Sequence, residues 1–81
     1  MRITVRLFAN LRELTGVSET AIDVPDSASA GEASAVLAAR FPKIASLLPR
    51  CAYAVNREYA PKSTLLNDGD ELALIPPVSG G

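Results

Sequence analysis

Two adjacent prolines, Pro76 and Pro77, limit what this chain can build. They follow Leu72-Ala73-Leu74-Ile75, an apolar run that reads as a strand. Proline has no N–H to give a neighbouring strand, so sheet pairing is expected to stop at Ile75. A Pro-Pro pair favours extended polyproline geometry and carries the chain away from the body. Beyond it stand Val78, Ser79, Gly80 and Gly81; Val78 can still touch the surface, and the other three have almost nothing to pack. Fully extended, residues 76–81 reach roughly 20 Å. The expectation is a folded body over 1–75 and a slender tail over 76–81, ending in a carboxylate with no side chain beside it.

That ending has two readings. One is a frayed terminus, since the last residues of most domains are poorly ordered. The other makes the carboxylate the reactive group. An enzyme that activates a C-terminal carboxylate admits it through a narrow passage, and glycine lets the backbone pass without a Cβ. Ordering so flexible a tail costs entropy, which a contact surface elsewhere must offset.

The body narrows the chemistry further. At 81 residues and 48% hydrophobic it is one domain with enough apolar side chains for one core. Its net charge is −1 and it has no basic run, so nucleic acid or an anionic membrane would find no electrostatic footprint. No stretch is long and apolar enough for a membrane span, and Met1-Arg2 leads straight into a strand pattern with no signal peptide; the expected location is the cytoplasm. Histidine is absent, which removes the commonest general base and metal ligand. Cys51 stands alone, excluding an intrachain disulfide, a thiolate zinc site and an iron–sulfur cluster. Within Cys51-Ala52-Tyr53-Ala54-Val55 it reads better as a buried structural thiol than as a reactive one. The body supplies little catalytic chemistry of its own.

Residues 2–8 alternate as a half-buried strand, with Ile3, Val5 and Leu7 inward and Thr4, Arg6 and Phe8 outward. Phe8 is the anomaly, an aromatic on the solvated side. Leu11 and Leu14 lie on one side of a short helical turn that Gly16 closes. A second strand covers 19–24, with Thr20, Ile22 and Val24 inward, and its short connection makes it antiparallel to the first. After a turn over 25–28, Ser29-Ala30-Gly31-Glu32 matches a capping box. The helix it starts runs to Arg40 and buries Ala30, Ala33, Val36, Leu37 and Phe41. Gly31, a poor helix former, is expected to let the first turn fray. Phe41-Pro42 ends the helix, and residues 44–48 form a single turn stopped by Pro49.

A third strand covers 51–56, and Asn56-Arg57-Glu58-Tyr59 turns into a short fourth. Leu65 and Leu66 both read as core. Asn67-Asp68-Gly69-Asp70 is a tight turn before the final strand, 71–75, which buries Leu72 and Leu74. Asp68, Asp70 and Glu71 lack ordered ligand spacing, so a solvated turn is preferred to a cation site. The fold class is α+β: a mixed sheet with one main helix packed on one face. If the last strand lies parallel beside the first, Phe8 and Ile75 meet on the face away from the helix, and Tyr59 joins them. Such a cluster either covers a sheet edge or forms a docking surface.

Three stretches resemble the family of small, sulfur-carrying subunits of molybdopterin synthase. They are Leu7-Phe8-Ala9-Asn10-Leu11-Arg12-Glu13-Leu14-Thr15-Gly16, Ala54-Val55-Asn56, and Asp68-Gly69-Asp70-Glu71-Leu72-Ala73-Leu74-Ile75-Pro76-Pro77-Val78-Ser79-Gly80-Gly81. The resemblance spans the whole chain and implies the ubiquitin-like β-grasp fold. It implies that an ATP-dependent activating enzyme adenylates Gly81, and that sulfur from a persulfide donor then leaves a Gly81 thiocarboxylate. The tail, with Gly80 and Gly81 at its reactive end, would enter the large synthase subunit. There it would give sulfur to cyclic pyranopterin monophosphate, building the dithiolene that holds molybdenum.

On this reading the chain is a non-catalytic subunit of a sulfurtransferase, in a heterotetramer built on a large-subunit dimer. It binds no cofactor; ATP is used by the activating enzyme. The family's docking residues map onto Phe8, Tyr59 and Ile75, followed by Pro76, Pro77, Val78 and Ser79. Ile75 stands where relatives carry a phenylalanine, and Tyr59 where they carry an aliphatic residue. The competing readings are a sulfur carrier for thiamine or cysteine synthesis, a ubiquitin-like protein modifier, and a plain interaction domain.

Overall fold

The computed structural model describes residues 1–77. At its centre, β1 (Arg2–Leu7) and β5 (Glu71–Ile75) pair in parallel, with Val5 opposite Leu72 and Leu7 opposite Leu74. On the other side of β1, β2 (Glu19–Asp23) pairs antiparallel, as the short connection requires. On the other side of β5 lies β3 (Ala52–Val55), also antiparallel, and β4 (Glu58–Ala60) closes that edge. The five-stranded sheet has the order β2-β1-β5-β3-β4. With a helix across one face this is the ubiquitin-like β-grasp arrangement.

Alternation builds the core. Ile3, Val5 and Leu7 from β1 and Leu72 and Leu74 from β5 all point to one side and are buried. Across them lies α2 (Ala30–Arg40), which contributes Ala30, Ala33 and Leu37. Each fully buried Leu, Ile or Val gives about 1.5–3 kcal/mol relative to exposure, so this layer dominates the favourable side of folding. The short α1 (Ala9–Thr15) adds Leu11, and Gly16 closes it in the left-handed conformation (φ 78), donating its N–H to Arg12 O at 2.8 Å.

Several side chains depart from the sequence reading. Leu14 is exposed: the inward side of α1 runs from Leu11 to half-buried Thr15, whose hydroxyl donates to Leu11 O at 2.8 Å, and Leu14 falls outside it. Val36 is also exposed: the inward stripe of α2 runs through Ala33, Ser34 and Leu37, with Ala38 packed beside it. Phe41 is half-buried against the core rather than within it. Buried Ser34 is satisfied by donating to Gly31 O (2.8 Å) and by a 2.9 Å hydrogen bond with the Tyr53 hydroxyl. Leu65 points outward and Leu66 inward, as neighbours in an extended segment must.

The first turn of α2 is tied down rather than prone to fray. Glu32 N–H donates to Ser29 Oγ (3.1 Å) and Ser29 N–H donates to Glu32 Oε1 (3.0 Å). Gly31 N–H donates to Lys62 O at 2.8 Å, and a Cβ on Gly31 would stand 3.3 Å from that oxygen. Glycine therefore serves close approach by the loop at 61–63. The helix ends at Arg40, and short 3-10 turns at Pro42–Ile44 and Leu48–Arg50 lead into β3, which starts at Ala52 rather than Cys51.

Replacing Ser29 with alanine removes one half of the capping box and is expected to cost about 1 kcal/mol. For a domain of this size that lowers the melting midpoint by roughly 4–8 °C. An unchanged midpoint would mean that the Lys62 contact holds the turn by itself.

Candidate functional site

The sheet face turned away from α2 collects Phe8, Tyr59 and Ile75. Register puts Arg6, Ala73, Ala54 and Tyr59 in a single row across β1, β5, β3 and β4. The two alanines make a low floor between taller neighbours. Both are buried although they lie on the outer face. Ile75 stands two residues beyond Ala73 on the same side, opposite Ala52. Phe8 follows the end of β1 with extended backbone (φ −124, ψ 158), which keeps its ring on this face. Together these residues line a shallow groove of about 350 Å³.

Phe8 and Tyr59 are 38% and 78% exposed, which is a large apolar area to leave in water on a domain with a complete core. The rim is charged. The Arg6 guanidinium lies 5.7 Å from the centre of the Phe8 ring, within cation–π range. Glu71 is shared between Arg6 Nη1 (4.0 Å) and Arg57 Nε (3.8 Å). Exposed pairs of that length are worth between zero and about 1 kcal/mol.

Arg57 belongs to the two-residue connection between β3 and β4. Asn56 (φ 50) and Arg57 (φ 70) are both left-handed, the geometry that matches the twist of a tight hairpin. Asn56 is fastened there: its N–H donates to Glu71 O (2.8 Å), its Nδ2 to Asp70 Oδ1 (3.0 Å), and Glu71 N–H donates to its Oδ1 (3.0 Å). Asp70 also accepts from Asn67 N–H, and Asp68 accepts from Arg2 N–H, both at 2.8 Å. These carboxylates organise turns, in keeping with the preference for a turn over a cation site.

Phe8, Tyr59 and Ile75 are thus brought together. Pro76 and Pro77 continue from Ile75 outside any strand, half-buried and exposed respectively. The remaining candidates, Val78, Ser79, Gly80 and Gly81, lie outside the described residues. Sequence reasoning missed the alanine floor, although Ala54 and Ala73 are readable as outward positions from the period of two. It also missed Arg6, Arg57 and Glu71 as a group, because their meeting depends on pairing between distant strands.

A larger depression of about 960 Å³ lies on the other side of the molecule, between α2, the turn before Cys51 and the loop at 61–63. Two of the hydroxyls that line it, Ser34 and Tyr53, are spent on each other, and Ser29 Oγ caps α2. The Cys51 thiol donates to Leu47 O (3.4 Å), and burial pushes its pKa above the ordinary thiol value. That is the opposite of what a nucleophilic cysteine needs.

Residues 5–81 match the family model described as the ThiS family. The chain belongs to the ThiS family. Within it, the chain is 40% identical over 83 residues to the molybdopterin synthase sulfur carrier subunit of Chlamydomonas reinhardtii, covering 100% of both. Among solved structures, small archaeal modifier protein 1 of Haloferax volcanii superposes with a TM-score of 0.89 at 30% identity, covering 95% of this chain and 98% of that one. A chain from the complex of subunits 1 and 2 of the molybdopterin-converting factor of Helicobacter pylori gives a TM-score of 0.71 at 30% identity, with 100% of both covered. This ThiS-family chain therefore combines the family's fold with an exposed apolar groove at the root of its C-terminal segment.

Because its pKa is raised, Cys51 is expected to react with iodoacetamide more slowly than free cysteine at pH 8, with the rate still rising above that pH. Unfolding in guanidinium should restore the ordinary rate. Free-cysteine reactivity in the folded chain would contradict the burial.

Proposed function

We propose that this chain is the sulfur-carrier subunit of a molybdopterin synthase. The observation that carries the reading is the Phe8–Tyr59–Ile75 groove, set where β5 hands over to Pro76 and Pro77. A body that binds through a groove beside its own tail delivers the tail to whatever it binds. Full-length likeness to a subunit of that name supports the assignment, as does likeness to a chain from a two-subunit converting-factor complex.

The chemistry proceeds at Gly81. A carboxylate is a poor electrophile. Attack of its oxygen on ATP, within an activating enzyme, releases pyrophosphate and makes an acyl adenylate. The outer sulfur of a persulfide displaces AMP to give an acyl disulfide. A second thiol then attacks the inner sulfur of that S–S bond, releasing the Gly81 thiocarboxylate and leaving the two thiols joined as a disulfide. The thiocarboxylate is itself a sulfur nucleophile, so the carrier brings a covalent reagent to the partner. In the large subunit it gives sulfur to cyclic pyranopterin monophosphate. Acids and bases come from the partners, which suits a chain without histidine. The carrier binds no cofactor of its own, works in the cytoplasm, and joins a heterotetramer with the large-subunit dimer at its centre.

A second reading is a ubiquitin-like modifier, favoured by the close superposition on small archaeal modifier protein 1. Thiamine or cysteine synthesis is the alternative destination for the sulfur. Reconstitution with the cognate activating enzyme, ATP and sulfide, followed by intact-mass analysis and addition of the large subunit with precursor, separates these. Exchange of one terminal oxygen for sulfur and formation of the dithiolene are expected. Conjugates to protein lysines would favour the modifier, and a loaded carrier unable to serve the large subunit would favour another pathway.

Removing Gly81 is expected to leave stability within about 0.5 kcal/mol while abolishing sulfur transfer. Phe8→Ala is expected to weaken binding to the large subunit by more than about 1 kcal/mol, read by calorimetry, as central aromatic anchors commonly do. Equal loss of folding and transfer on deletion, or unchanged affinity for Phe8→Ala, would contradict the respective role.

A further inference from the structure

The groove explains Phe8, Tyr59 and Ile75, but it leaves Arg57 without a reason. Turn chemistry alone would put glycine there. Two-residue hairpin connections with both positions left-handed favour Asn-Gly, because a side chain at φ near +70° crowds the backbone. The first position follows that rule with Asn56, and the second, at φ 70, does not. No local contact compensates. The Arg57 side chain is 80% exposed, and its ion pair with Glu71 is 3.8 Å long. An exposed pair at that separation does little against the backbone cost.

The surrounding charges sharpen the point. Glu71 is already shared with Arg6. Arg6 in turn has the Phe8 ring beside it and Glu19 opposite it in the β1–β2 register. Asp70 is occupied by Asn56 and Asn67. Glu71, the one carboxylate in ion-pair range of Arg57 among the described residues, is divided between two arginines and lies too far from Arg57 for a hydrogen bond. Arg57 stands on the rim of the groove, with most of its five N–H donors unclaimed.

We infer that Arg57 is a specificity-determining residue of the docking face, paired on binding with a carboxylate of the large synthase subunit. This rests on the function proposed above. The partner surface that fits is an apolar knob seated on the Ala54–Ala73 floor, with an aspartate or glutamate placed beside it. A planar guanidinium matches a carboxylate through two parallel hydrogen bonds, which fixes the orientation of the knob as well as its charge. The side chain is retained at a strained position because the complex uses it, not because the isolated fold does.

The prediction separates stability from binding. Wild type, Arg57→Gly, Arg57→Lys and Arg57→Glu are compared by thermal melting and by calorimetric titration with the cognate large subunit at about 50 and about 300 mM salt. Arg57→Gly is expected to melt no lower than wild type while binding about tenfold more weakly, with a smaller salt dependence. Arg57→Lys keeps part of the affinity and Arg57→Glu loses more than Arg57→Gly. Wild-type affinity and salt dependence in Arg57→Gly would overturn the role of Arg57 and leave the proposed function standing. If Arg57→Gly melts lower, the side chain serves the fold, and the strain argument falls. Failure of the wild-type chain itself to bind the large subunit would overturn the function proposed above, and this inference with it.

Discussion

The parallel pairing of β1 with β5 is the constraint on which the rest of the molecule depends. It joins residues from opposite ends of the chain at the middle of the sheet, with Leu7 beside Leu74 on the core side. The same register fixes what appears on the outer side. Because side chains alternate, a shift of one residue would send Ile3, Val5 and Leu7 into water and bury Arg6. The core therefore enforces the layout of the outer face. Phe8 and Ile75 stand near one another because the leucines behind them have no other acceptable arrangement.

The outer face is assembled from parts that would be unremarkable alone. Two alanines leave depth, an aromatic stands on either side, and an Arg–Glu–Arg cluster gives the rim a polar character. None of this stabilises the isolated domain much, since exposed rings and long surface ion pairs contribute little. Exposed rings around a low apolar floor, with charges at the rim, are the make-up of a contact surface rather than of a stabilising one. The larger depression on the helix side differs: Ser34 and Tyr53 satisfy each other and its thiol is suppressed by burial.

Much of this was legible in the amino-acid order. The period of two over 2–8 and 71–75, the Ser29–Glu32 capping box and Gly16 at a helix end gave the element types, and short connections gave the pairing of the first two strands. Phe8 stands out because it breaks the polarity of its own strand face, and the expected parallel pairing of the last strand with the first puts Ile75 and Tyr59 beside it. Other features resisted the same reasoning. Leu14, Val36 and Leu65 are apolar by composition and outward by geometry, and which of two neighbouring leucines turns inward depends on where the strand or helix starts. Gly31 was read through its helix propensity, whereas a loop from elsewhere in the chain determines its use. The Arg6–Glu71–Arg57 cluster required knowing that β5 lies between β1 and β3.

The central place of β5 has a mechanical corollary. Load applied to the chain beyond Pro77 acts along the strand, whose backbone is hydrogen-bonded to β1 on one side and β3 on the other. Pulling in that direction shears both ladders at once rather than unzipping one bond after another, and shear resists force better because the bonds must rupture together. An edge strand such as β4 would peel. The domain is thus built to withstand traction at its C-terminal end, because the strand that bears it is the one held on both sides.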